Sequence, residues 1–132
     1  APLGFELIDD PRIRTVEHIK RLIIELVHHQ DNRLRTNLSQ YLAMECRHDY
    51  GTLSKLFSET QGTTIEKYFI AQKIERAKEL LDYGELTLNE IADRLNYSST
   101  AHLSAQFKAQ TGCTPRQYRQ QKERARIPLD KI

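Results

Sequence analysis

Few side chains in this chain could do chemistry by themselves. Cys46 and His48, with His28 and His29 nearby in sequence, offer a thiol and imidazoles, the ligands that zinc or copper takes. Their spacing fits no standard structural zinc site. No Ser-His-Asp or Cys-His arrangement, glycine-rich phosphate loop or pair of carboxylates stands out. These residue types therefore point away from an enzyme and call for no metal or cofactor. Cys46 and Cys113 lie far apart and form no paired motif, which suits ordinary thiols in a reducing, cytoplasmic setting.

What remains is recognition, and one stretch carries most of it: IADRLNYSSTAHLSAQFKAQTGCTPRQY, residues 91–118. Ile91, Ala92, Leu95, Leu103 and Phe107 make an apolar scaffold around the small polar run Ser98, Ser99, Thr100, Ala101. A free surface helix would carry long charged side chains at such positions. A face kept small either packs against another helix or lies close against a ligand.

The elements that must position this face read as helices almost throughout. Val16, Ile19, Ile23, Leu26 and Val27 recur at helical spacing, with Thr15 as the expected N-cap. Residues 38–44 make a short second helix, and 52–60 a third that Gly62 closes. TTIEKYFIAQKIERAKELLDYG is a long fourth helix, with Thr63 and Glu66 as a capping box and Gly84 as a left-handed stop. Thr87 and Glu90 open a fifth in the same way, and Asn96, tolerant of the left-handed conformation, ends it. A sixth runs over about 99–110 and stops at Gly112. Thr114 and Pro115 with Gln117 open a seventh, which Pro128 ends. Nothing beyond Ile8 alternates as a strand would, and residues 4–8 could not be stable as a lone strand. The fold class is all-α.

An internal repeat gives these helices a plan. Under a shift of fifty residues Leu53 falls on Leu103, Ser54 on Ser104 and Phe57 on Phe107, while Gly62 meets Gly112, Thr64 meets Thr114 and Tyr68 meets Tyr118. One register earlier, Leu42 and Ala43 fall on Ile91 and Ala92, so the second copy carries one extra residue in the turn between its short helices. Each copy is a short helix, a tight turn, a second helix, a glycine stop and a Thr-capped helix, which is a helix-turn-helix used twice.

In such a unit the second helix buries one face and lays the other in the DNA major groove. With Leu103 and Phe107 inward, Thr100, Ala101, Ser104, Ala105 and Lys108 point outward, and Ala101, Ala105 and Lys108 form one stripe. Small side chains let the helix come close, their methyls can touch thymine, and Ser or Thr hydroxyls bond either kind of base edge. The stripe in the first copy is Gly51, Lys55 and Ser58, with Thr52 and Ser54 beside it. Net charge, +2, decides nothing, but its distribution does. Beyond Ala101 the basic residues Lys108, Arg116, Arg119, Lys122, Arg124, Arg126 and Lys131 face only Glu123 and Asp130, a balance suited to a polyanion or to a solvated helical tail.

At LNEIADRLNYSSTAHLSAQFKAQTGCTPRQYR the chain resembles the DNA-binding domain of the AraC/XylS family of bacterial transcription regulators, through Ile-Ala, Phe-Lys, Gly-x-Thr-Pro and Tyr-Arg landmarks. The resemblance covers about residues 34–119, closely in the second half and loosely in the first. It implies two helix-turn-helix subdomains joined by a long linker helix, about seven helices in all, asymmetric DNA sites, and activation by contact with RNA polymerase. Residues 11–132 then form the DNA-binding domain, with a first helix-turn-helix over about 34–62, a linker helix over about 64–83 and a second helix-turn-helix over about 86–119. The part of this linker over about 65–81, about 25 Å long at 1.5 Å per residue, would set two recognition helices about one DNA turn apart, in successive major grooves on one face of double-stranded DNA. Carried over, the roles imply base-edge or methyl contacts from Gly51, Thr52, Lys55, Thr100, Ala101, His102 and Ala105. For Ser54, Ser58, Ser104 and Lys108, phosphate is an equal alternative. Helix amino termini near Ser39, Thr87 and Ser99 can offer amides to phosphate.

Departures from the family pattern are visible too. The turn glycine is Arg47 in the first copy and Asn96 in the second, and Cys46 stands where the family places an apolar core residue. Neither stripe carries Arg or Gln at its centre, so specificity leans on apolar contacts and DNA shape. Residues 1–10 read as the remnant of an upstream domain or a scar of cloning. Within them, LGFELIDD faintly resembles the closing strand of a heavy-metal-associated, ferredoxin-like sensor domain that some regulators of this type carry. The rival from another class is a helical protein-interaction adaptor, because Leu22 and Ile24 of IKRLIIELV fall off the main apolar stripe. No apolar run is long enough to span a membrane.

Overall fold

Asp10, not Thr15, starts the first helix. Its carboxylate accepts the Arg12 backbone N–H at 2.8 Å, and Pro11 takes the first helical position, where no N–H is needed, so α1 is Pro11–Ile24. Thr15 is already helical, its hydroxyl donating back to the Pro11 carbonyl at 3.0 Å. The helix runs on into a π-helical turn, Glu25–His29, which keeps Leu26 and Val27 buried. The computed structural model describes residues 10–29 and 36–125. The strand considered over 4–8, the start of the first helix-turn-helix near Leu34 and the stop at Pro128 lie outside those residues.

The remaining helices are α2 (Leu38–Cys46), α3 (Tyr50–Gln61), α4 (Ile65–Tyr83), α5 (Leu88–Arg94), α6 (Thr100–Thr111) and α7 (Pro115–Ala125). Among the described residues there are thus seven α-helices and no strand. The cap of α4 is Thr64, whose hydroxyl accepts the Lys67 N–H at 3.1 Å, and not Thr63. Glu66 does not close a box there; it accepts the hydroxyl of Tyr50 instead. The Thr87 and Glu90 box forms as expected, with reciprocal bonds of 3.1 and 2.9 Å. Thr114 and Gln117 make a similar reciprocal pair at 3.1 and 2.9 Å.

The repeat is carried by these caps. Asn37 and Thr87, Asp49 and Ser99, and Thr64 and Thr114 each accept a backbone N–H three residues on, and the members of each pair are fifty residues apart. Gly62 and Gly112 both stop their helices in the left-handed region, at φ of 70° and 89°. Helix α5 is two residues shorter than α2 (seven against nine), so the left-handed residue after it, Asn96, comes one position early. Two residues, Tyr97 and Ser98, then separate Asn96 from the Ser99 cap, where only His48 separates Arg47 from Asp49. That is the extra turn residue of the second copy.

The chain divides into two units, one up to Gln72 and one from Lys73, and α4 contributes to each. In the first, Val16, Ile19 and Ile23 of α1 close over Leu42, Leu53, Phe57 and Ile65, all buried. Leu22 packs partly against this cluster, whereas Ile24 is exposed. In the second, Ile74, Ala77, Leu80 and Leu81 of α4 are buried, as are Ile91, Ala92, Leu95, Leu103 and Phe107. The rings repeat as well: Tyr68 meets Phe57 edge-on at 5.5 Å, and Tyr118 meets Phe107 edge-on at 5.6 Å. No described helix is long and apolar enough to cross a membrane.

Candidate nucleic-acid interface

In the second unit the turn between α5 and α6 is built by backbone bonds. Asn96, at φ 64°, donates to the Asp93 carbonyl at 3.1 Å, and Tyr97 donates to the Ala92 carbonyl at 2.8 Å. This pair is a Schellman stop, which satisfies carbonyls that the end of α5 would otherwise leave open. Ser99 then caps α6 through the His102 N–H at 3.0 Å.

Once capped, α6 turns Leu103 and Phe107 inward with no exposure, so the opposite face is outward by helical geometry. Ala101, His102, Ala105 and Lys108 are exposed, and Thr100 and Ser104 are half-buried. The Thr100 hydroxyl donates to Asn89 Oδ1 at 3.1 Å, tying the start of the stripe to α5. Thr87, Asn89, Thr100, Ala101, Ser104, Arg116 and Arg119 border an open groove of about 540 Å³. Its floor is small and neutral, and its α7 flank is basic. Arg119 is partly committed to structure, since its guanidinium donates to the Leu86 carbonyl at 3.0 Å. Arg116 is exposed.

The first unit repeats the geometry with different chemistry. Leu53 and Phe57 are buried, Gly51, Thr52 and Lys55 are exposed, and Ser54 and Ser58 are half-buried. Asp49 accepts both the Thr52 amide, at 3.1 Å, and the Thr52 hydroxyl, at 2.7 Å. The hydroxyl bond first, then the amide bond, holds the Asp49 carboxyl below the usual range. A fixed negative charge therefore sits at the head of this stripe, where the second unit has neutral Ser99. A Cβ built on Gly51 would stand 3.2 Å from that carboxylate, so the glycine leaves room for the cap. Thr52 and Lys55 also line an open groove of about 550 Å³ against Pro11, Arg12 and Thr15 of α1.

Every residue expected at the interface is thus at least partly exposed, on the outward side of α3 or α6. Sequence reasoning did not join Asn89, Arg116 and Arg119 to the α6 stripe; the basic end of the chain was the one signal that could have pointed to the two arginines. The amino terminus expected near Ser39 is found there: α2 starts at Leu38, its cap is Asn37, two residues before Ser39, and the Ser39 hydroxyl donates to Asn37 Oδ1 at 2.8 Å. Cys46 packs against the first core, 3.9 Å from His18 Nδ1, and burial pushes its thiol up, away from the thiolate a metal would need. Among the described residues no cluster of three His, Cys, Asp or Glu could hold a metal ion.

Residues 38–121 match a family model described as a helix-turn-helix domain. An uncharacterised HTH-type transcriptional regulator of Staphylococcus aureus is 38% identical over 96 residues, which is 73% of this chain and 12% of that protein. The HTH-type transcriptional activator RhaR of Cronobacter sakazakii is 38% identical over 69 residues, 52% of this chain and 24% of that protein. The chain therefore spans only a small part of the curated relatives it matches. Among solved structures, the C-terminal domain of AraT, a response regulator from Geobacillus stearothermophilus, is similar with a TM-score of 0.71 at 26% identity, covering 85% of this chain and 86% of that one.

Proposed function

The chain belongs to the AraC/XylS-type helix-turn-helix family, and from that premise we propose that it binds double-stranded DNA by sequence, as the DNA-binding part of a cytoplasmic transcription regulator. The family is one of DNA-binding regulators and not of enzymes. One observation supports this reading most: two copies of the same capped helix pair each turn outward a face of small residues and a single lysine, Lys55 or Lys108. Small side chains let a helix backbone approach base edges, and a lysine at the stripe can take a guanine or a phosphate.

In its finer form the proposal sends α3 and α6 into successive major grooves on one face of the DNA. Residues 11–132 are the DNA-binding domain. Base or methyl contacts come from Gly51, Thr52, Lys55, Thr100, Ala101, His102 and Ala105, and phosphate or base contacts from Ser54, Ser58, Ser104 and Lys108. Arg116 adds a phosphate contact at the edge of the second groove. The regulator acts as an activator, a reading that the activator among its relatives supports, and it does so by touching RNA polymerase. Gel-shift titration against a site selected from random duplexes tests the reading: a discrete complex that mixed-sequence competitor does not displace is expected, and binding without preference would overturn it.

A further inference from the structure

Behind α6 lies a cluster of side chains that groove entry alone does not require. Tyr97 is buried in the turn, with 7% of its surface exposed. The Lys73 ammonium, from α4, stands 3.9 Å over the centre of its ring. The same ring meets the His102 imidazole almost perpendicularly, with centroids 5.0 Å apart at 89°, and its hydroxyl donates to Gln106 Oε1. His102 has a second restraint, because its Nδ1 lies 3.2 Å from the Ser98 hydroxyl.

His102 itself is exposed on the recognition helix. An exposed side chain held from two directions has given up rotamer freedom before any ligand arrives, so less is lost on binding. In the tautomer whose Nδ1 accepts the Ser98 hydroxyl, the ring proton is on Nε2, which is then a donor. A donor reaching into the major groove suits the two acceptors that guanine presents there. Among the described residues the first unit has no counterpart. Fifty residues before His102 stands Thr52, whose hydroxyl is spent on Asp49, and the shorter turn there offers only exposed His48. The extra residue in the second turn is what brings a buried ring beneath the helix.

We infer that Tyr97 is a positioning residue which, backed by Lys73, fixes His102 so that its Nε2–H reads one guanine in the site of the second lobe. The inference rests on α6 entering a major groove. It predicts that His102→Ala and Tyr97→Leu lose discrimination at the same single base pair, each by about tenfold, while other positions and affinity for mixed-sequence DNA hold. Combined, the two changes lose no more than either alone, because they remove one device. Lys73→Met, which keeps side-chain length and removes the charge, loses about threefold at that base pair only.

The experiment is competition binding of the selected site and all its single-base variants, with circular dichroism on each protein. If the parent chain prefers no site at all, the reading of α6 as a DNA reader is what fails. If a site is preferred but His102→Ala leaves discrimination even across it, or Tyr97→Leu and His102→Ala affect different base pairs, this inference alone is overturned. Should Tyr97→Leu lose its helical signal, Lys73→Met decides: a loss confined to the His102 base pair supports the device, and a uniform loss or none contradicts it.

Discussion

Ala101, Ala105 and Gly51 stand at the surface, where any other helix would show long polar side chains. Their smallness is then a claim about contact, and it has a direct test. Ala101→Glu would set a carboxylate against bases and phosphates, and Lys55→Ala would remove the one cation of the first stripe; each should abolish the specific complex in a gel shift while circular dichroism stays that of the parent. Lys73 gives a prediction of another kind. Burial pulls its ammonium down from 10.5 to about 8. Between those values the unfolded chain binds more protons than the folded one, so stability rises with pH across that window and the penalty is constant below it. Tyr97 sets the upper limit: burial pushes its phenol up from 10.0 to about 12, so near pH 10 and above it begins to oppose the trend. Thermal melts at stepped pH from about 7.5 to about 9.5 should show the melting temperature climbing for the parent relative to Lys73→Met. Equal slopes would show that Lys73 keeps its ordinary value in the fold.

At the scale of the element, most of the fold was legible because capping chemistry is local. Thr87 with Glu90, Ser99, Thr114 with Gln117, and the left-handed stops at Gly62, Gly84 and Gly112 are all found where residue type and spacing put them. The third helix, expected from Thr52, opens two residues earlier at Tyr50 because Asp49 caps it, and two other starts were misread for a physical reason. Thr63 with Glu66 has the spacing of a capping box, but Glu66 accepts the Tyr50 hydroxyl and Thr64 caps the helix; the repeat, which sets Thr64 on the capping Thr114, was the signal that pointed there. Asp10 was passed over because Pro11 to Arg14 adds little apolar periodicity to mark a helix. The Tyr97 cluster could not be read from the sequence at all, since Lys73 and Tyr97 are brought together only by tertiary packing. Two substitutions test the elements. Ser99→Ala should cost about 1 kcal/mol of stability by leaving the His102 amide without its cap. Arg47, at φ 58°, holds a conformation that glycine adopts without strain, so Arg47→Gly should stabilise by up to about 1 kcal/mol, read as a higher urea midpoint at unchanged slope.

For the whole molecule, a duplicated lobe implies a split site, and a helical adaptor implies no site. Salt separates these two readings. A chain that neutralises about six phosphates should lose about a thousandfold in DNA affinity between about 50 and about 200 mM salt, whereas an apolar protein interface should barely respond. The repeat made the two-lobed plan visible in the sequence, because Leu53 and Leu103, Phe57 and Phe107, and the paired caps keep one spacing through both copies. The repeat did not reveal that the copies differ in charge and stiffness at the recognition helix: Asp49 heads one stripe, and a ring-braced imidazole sits on the other. The most direct measurement is selection of bound duplexes from a random DNA library by the 132-residue chain. Enrichment of two conserved blocks about one helical turn, roughly 10 base pairs, apart is the predicted result. A library that emerges without any enriched sequence, or with one short block that Lys55→Ala does not alter, would contradict the account.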